Sequence, residues 1–401
     1  MAVAVTSEPA STSHPADERA ATAVYIPALD GIRFLAFALV FLNHAGGPAA
    51  FEPVSRAVST VLTFGWMGVD IFLCLSGFLI ATLLLREIAA THGVSVRWFY
   101  ARRALRIWPL YYLMLAIGFG VAPWLLKQTG TPAYDALLAT HLFPFATLFG
   151  NISYAFFPGD LAAMVPSAGF FAHLWTVGLE EQFYLLFPVV LAAAPRFSTR
   201  AALATAGGVV LFSVATRLYI VGNGIRYPAV WTLTFARLDP IVLGIAGAVI
   251  WHRYGDAVRG LKLYGAEFAA AAGLIWLVVS FPQINLSWNV VWQLLATATA
   301  SLLLIVGVLR YPIPAAAFGW RPIAWLGKIS YGLYVFHLLV LYLYGSKIAP
   351  HVVAPGLIRP FLNLALSLVL TIGVAAISYY AYERPFLRIK TRFTHIRSRP
   401  A

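Results

Sequence analysis

Cysteine, acid and charge in general are scarce in this chain. One residue of 401 is cysteine and only 11% are charged. The lone thiol, Cys74, lies in an apolar run, which excludes an intramolecular disulfide and a cysteine-rich metal site. Soluble domains are about a quarter charged, so a chain that is 61% hydrophobic and this poor in charge reads as a polytopic membrane protein. Acidic residues number 15 against 28 basic ones, a net charge of +13. Basic excess often signals nucleic acid, but these residues sit between apolar runs, and no segment offers the soluble surface a nucleic-acid patch needs.

What is present is a series of apolar runs long enough to cross a bilayer. They fall at 32–50, 61–85, 107–126, 174–194, 201–221, 235–251, 264–281, 289–309, 325–345 and 360–382. A shorter run, 135–149, carries Asp135, His141 and Pro144. Residues 1–24 are polar, small and Pro/Ser-rich, and are expected to form a disordered tail rather than a cleavable signal peptide. The expected organisation is therefore this tail, one membrane domain over 25–388, and a basic tail over 389–401.

Basic residues cluster in 86–106, 195–200, 252–262, 310–321 and 384–399, and the positive-inside rule assigns all of these to the cytoplasm. Working back from a cytoplasmic tail, 127–173 begins and ends outside, so 135–149 is re-entrant or interfacial. The expectation is an all-α protein of the cell membrane with ten spans and both termini cytoplasmic.

Polar residues inside these runs are the functional candidates, because an intramembrane titratable group is costly. Arg33 and His44 are eleven residues apart, close to three helical turns, so they share a face about 16 Å apart along the axis. Arg33 is either a snorkelling charge or part of a site, and pairing with Asp30 is a further option. His44 is either a helix-end hydrogen-bonding group or a catalytic one. "GWMGVDIFLCLSGFLI" carries Asp70, which needs a cationic partner on a neighbouring helix, and Ser76, read as packing rather than nucleophile. Gly65, Gly68 and Gly77 in that run allow close backbone approach.

"HLWTVGLEEQFYLLFP" is the densest polar cluster. His173, Val177 and Glu180 share a face, with Glu181 about 100° away, and a carboxylate against an imidazole would fix its tautomer and raise its basicity. "RRALRIWPLYY" opens the third run with Arg102, Arg103 and Arg106, a phosphate-binding pattern if it is not simply topogenic. Trp108, Tyr111 and Tyr112 follow, placed to stack on a base. Arg237, Asp239 (a helix cap before Pro240), Ser330, Tyr334, His337 and Glu383 complete the set, each equally readable as helix capping or helix–helix bonding.

Taken in order, "RFLAFALVFLNH", "GVDIFLCLSGFLI", "RRALRIWPLYY", "HLWTVGLEEQFYLLFP", "ISYGLYVFHLLV" and "YAYERPF" resemble the acyltransferase-3 family of integral membrane acyltransferases. The resemblance covers residues 28–388. Departures are small: Trp175-Thr176 where Trp-Ser is more usual, and Leu73-Cys74 where aromatic and small residues are common. The resemblance implies ten spans and transfer of an acyl group, usually acetyl, from acyl-CoA to a hydroxyl of a sugar, glycolipid, polysaccharide or macrolide. It implies acyl-CoA as co-substrate, with no permanently bound cofactor or metal. Arg33, Arg102, Arg103, Arg106 and Tyr111 would hold the donor, and His44 would be general base, with Glu180 or Glu181 as its partner. Asp70, Ser76, His173, Trp175, Arg237, Asp239, Tyr334, His337 and Glu383 would support them. Some relatives carry an external hydrolase-like domain; here the membrane domain is expected to complete the transfer. The rival readings are a secondary transporter, weakened by the lack of an internal repeat, and a non-catalytic membrane scaffold, which would gain little from buried charge.

Overall fold

The computed structural model describes residues 25–45, 62–157, 169–193, 198–225, 228–262, 264–281, 288–355 and 358–393. Among them every regular element is helical. Ten helices have fifteen residues or more: α1 (Pro27–Ala45), α2 (Met67–Thr91), α3 (Val96–Ala116), α4 (Trp175–Ala193), α5 (Thr199–Gly222), α6 (Asp239–Gly260), α7 (Ala266–Ser280), α8 (Asn289–Arg310), α9 (Ser330–Lys347) and α10 (Ile358–Ser378). Each corresponds to one expected apolar run. Seven helical stretches are long and apolar enough to cross a bilayer, and an eighth would be α9 together with the helix Arg321–Lys328, from which it bends by 70°. The other two runs give α6, which ends in the charged turn Asp256–Arg259, and α7, which is short. The protein is thus a multi-pass helical membrane protein, and a count of ten crossings is not established.

Helix α2 is the hub, packed against α1, α6 and α8. Its apolar residues are spread around the helix rather than confined to one face, as suits a helix with neighbours on several sides. Its glycines set how closely the neighbours approach. A Cβ on Gly77 would land on the Ile241 carbonyl oxygen of α6, and one on Gly244 of α6 would land on that of Cys74. The two backbones are in contact, the arrangement that small residues permit in membrane helix pairs.

Helix α3 runs on through a π-helical stretch, Ile117–Val121, to Leu125. The run expected to be re-entrant or interfacial is helical from Pro132 to Ala146, with a π-helical middle at Leu138–Leu142, and a further short helix spans Gly150–Phe156. Residues 1–24 and 394–401 of the two expected tails lie outside the described residues. The rest of the C-terminal tail packs back on α3: Phe393 stacks on Trp98, with ring centroids 4.9 Å apart.

Candidate active site

His44 sits in the last turn of α1 and faces α9. Its Nδ1 lies 3.0 Å from Nε2 of His337, and Nδ1 of His337 lies 2.5 Å from the Tyr334 carbonyl oxygen. These bonds determine the tautomers. A carbonyl only accepts, so His337 carries its proton on Nδ1, and in a neutral ring its Nε2 is then an acceptor. His44 must therefore donate from Nδ1, which leaves its Nε2 with a bare lone pair. The sequence indicated a carboxylate partner for His44; the structure supplies an imidazole, itself oriented by the backbone of its own helix. His173 completes the group, its ring 4.9 Å from that of His337 and 5.1 Å from that of Tyr334. The Tyr334 hydroxyl donates to the His173 carbonyl oxygen and also meets the Thr176 hydroxyl, both at 2.9 Å.

The two carboxylates lie elsewhere. Glu180 accepts from the Tyr184 hydroxyl at 2.9 Å, and that hydroxyl also meets Ser76. Glu181 accepts from Trp108 Nε1 at 3.0 Å. Neither is hydrogen-bonded to His44. Helix α4 presents Glu180 to a cavity it shares with Ser76 and Tyr334, and Glu181 to Trp108 of α3. Ser76 thus belongs to a Ser76–Tyr184–Glu180 cluster, beside which Arg103 lies 5.2 Å from the centroid of the Tyr184 ring.

Two buried ion pairs join the helices around α2. Asp70, fully buried, lies 2.9 Å from Arg237 and accepts from Thr297 at 2.9 Å. Asp239, also fully buried, is held by Arg217 at 2.9 and 3.0 Å. Asp239 was expected to cap α6, yet its carboxylate makes no cap bond; neutralising an arginine away from water is the stronger demand. Arg217 was missed by the sequence reading, although a lone arginine in an apolar run was the signal. At the far end of α9, Glu383 accepts from Ser378 at 3.4 Å and lies against Gly332.

The arginine cluster lines a cavity of about 1090 Å³, mouth included, formed by Arg33, Arg102, Arg103, Arg106 and Lys390 with the carboxylates Asp30 and Glu87 and mainly apolar neighbours. Arg33 is paired with Asp30 at 2.9 Å. Arg102 bonds Glu87 at 3.0 Å and the Phe393 carbonyl at 2.8 Å. A second cavity of about 800 Å³ shares Arg33, Arg103 and Arg106 with the first and adds Ser76, Glu180, Tyr184, Ser330 and Tyr334. A third, of about 830 Å³, shares Val69 and Tyr334 with the second and contains His44, His173, Trp175 and Arg237. The three lie side by side, each sharing lining residues with the next, in order from the arginines to His44. Tyr111 is not on it: the side chain is fully buried, lines none of the three cavities, and donates to the Phe145 carbonyl at 2.7 Å. With its ring fully buried, it has no face open to a donor. Among the described residues no group of three or more His, Cys, Asp or Glu is placed to hold a metal ion.

The structure is that of a helical membrane protein with a basic chamber, a histidine pair and a further cavity between them. A family model described as an acyltransferase domain matches residues 26–382, and the chain belongs to the acyltransferase-3 family. It is 27% identical over 378 residues to O-acetyltransferase OatA of Staphylococcus aureus (strain NCTC 8325 / PS 47), covering 90% of this chain and 57% of that one. It is 26% identical over 379 residues to the protein named "Putative peptidoglycan O-acetyltransferase YrhL" of Bacillus subtilis (strain 168), covering 90% and 55%. The chain spans a little over half the length of these curated relatives. No solved structure matches it.

Proposed function

We propose that this protein is an O-acyltransferase that moves an acetyl or other short acyl group from acyl-CoA to a hydroxyl of a sugar-containing acceptor. The observation that carries the reading is the series of adjacent cavities, from the arginines to a histidine whose Nε2 keeps a lone pair to take a proton. Relatives named as O-acetyltransferases, one of them of peptidoglycan, support the acceptor class. The diphosphate and 3′-phosphate of CoA match a chamber where four arginines and a lysine outnumber two carboxylates, Asp30 and Glu87, since guanidinium groups pair with phosphate oxygens through two parallel N–H bonds. The positive-inside rule puts that chamber at the cytoplasmic face. The pantetheine arm would extend past Arg33 and the Ser76–Tyr184–Glu180 cluster, carrying the thioester towards His44.

There the acceptor hydroxyl gives its proton to His44 Nε2 as its oxygen attacks the thioester carbonyl carbon. The carbon–sulfur bond then breaks, and the CoA thiolate leaves and takes up a proton. The imidazolium formed on His44 is stabilised by its Nδ1–H bond to His337. Glu180 acts on the channel, holding Tyr184 in place. The test is acyl-CoA-dependent product formation by the purified protein in lipid nanodiscs. His44→Ala should lower turnover by roughly 10²–10⁴-fold, the usual cost of losing a general base, while yield and thermal melting stay near wild type. An unimpaired mutant would remove His44 from the reaction.

A further inference from the structure

We infer that the His44 cavity is an acceptor subsite for a sugar carrying an anionic oxygen group, carboxylate or phosphate, read by Arg237 and two tryptophan N–H groups. The inference rests on the acyl-transfer reading and specifies the side of the reaction that reading leaves open. Trp66, Trp175, Trp231 and Arg237 all line this cavity with His44. The Trp66 and Trp231 rings meet edge to face, centroids 4.6 Å apart and planes at 80°. Aromatic walls of this kind suit the C–H faces of a pyranose, which are apolar while the ring edge is polar.

The tryptophan and arginine groups of that wall only donate, while the cavity's acceptors include the imidazoles of His44 and His173. Nε1 of Trp66, Nε1 of Trp231, and Nε and Nη1 of Arg237 are all buried and have no hydrogen-bond partner. Arg237 is only 1% exposed and spends Nη2 on Asp70. Buried N–H groups without acceptors are rare and costly, and here four such donors belong to three residues lining one cavity. Indole and guanidinium groups donate and never accept, so a ligand that engages them does so through acceptor oxygens. A hydroxyl would also present a proton; a carboxylate or phosphate presents lone pairs alone and bonds such donors about twice as strongly as a neutral oxygen. No Asp or Glu lines the cavity, and Asp70 neutralises Arg237 without lining it. An anionic sugar therefore meets N–H donors on this wall and no carboxylate in the lining.

The test measures binding without any acyl donor, so that its outcome is separate from that of the transfer reaction. Protein in nanodiscs is titrated with methyl β-D-glucuronide, glucose 6-phosphate or methyl β-D-glucoside, and binding is read by saturation-transfer NMR. The wild type should bind at least one of the two anionic sugars roughly tenfold more tightly than the neutral glucoside; which of them binds identifies the anion. Arg237→Gln combined with Asp70→Asn, which removes the pair without stranding a charge, should bring the ratio to within about threefold. Asp70→Asn alone should keep the preference. Trp231→Phe, which keeps an aromatic ring but removes the N–H, should weaken anionic-sugar binding severalfold with the fold intact. Equal binding of charged and neutral sugars, no binding of any of them, or a preference that survives in the double variant would each overturn the inference. A separate assay of thioester cleavage bears on the acyl-transfer reading alone.

Discussion

His337→Ala is the most informative single change, because it separates the two possible partners of His44. In the structure the His44 Nδ1–H points at His337 Nε2 across 3.0 Å. When His44 takes a proton, this becomes a hydrogen bond from a charged donor, worth about 1.5–3 kcal/mol net. At RT of about 0.59 kcal/mol, losing it lowers kcat by roughly 10- to 150-fold. The loss should appear in kcat and leave the acyl-CoA KM nearly unchanged, since His337 lines none of the arginine-bearing cavities. His337→Gln keeps an acceptor oxygen at similar reach and should recover part of the rate. The assay is steady-state acyl transfer by purified protein, with thermal melting of each variant as a control. Wild-type kcat in a folded His337→Ala would refute the reasoning. So would a large kcat defect in Glu180→Gln alongside a mild one in His337→Ala, which would return the role of partner to the carboxylate.

Gly77→Ala should destabilise the protein by about 1–3 kcal/mol or prevent its folding, since the added methyl meets α6 backbone rather than a movable side chain; thermal melting in detergent checks this, and Gly207→Ala, whose Cβ meets nothing within 4 Å, is the control. Arg103→Ala combined with Arg106→Ala should raise the acyl-CoA KM and weaken competition by free CoA, with little effect on acceptor KM and a smaller difference at high salt; unaltered CoA competition would contradict a donor chamber at the arginines. In a Cys74→Ala background, Val353→Cys should react with an impermeant thiol reagent on intact cells and Asp256→Cys only after the membrane is opened. Both side chains are exposed, so the reverse pattern would invert the orientation inferred from loop charge.

Much of this was legible one residue at a time. Scarce charge and recurrent apolar runs required a helical membrane protein, because a bilayer leaves the backbone few other ways to satisfy its polar groups. The positions of all ten long helices followed from those runs, and so did the close approach at Gly65, Gly68 and Gly77. Asp70 was visibly in need of a cation, since an isolated carboxylate in such a span is too costly to leave alone. Family membership followed from ordered strings of local sequence. Pairing between helices was decided by the tertiary structure. Which imidazole or carboxylate meets His44 depends on the rotation of α4 and α9 about their axes, and periodicity gives a residue's face without saying which neighbour that face meets. The same limit hid Arg217 behind Asp239 and Trp66 beside Trp231, residues far apart in the chain that share one environment. It also misplaced Tyr111, whose spacing suited a ligand and whose hydroxyl is held by the Phe145 carbonyl. Short-range sequence specifies helices and costly charges, while the choice of partner is a property of three-dimensional packing, where each buried polar group takes the nearest group able to complete its bonds.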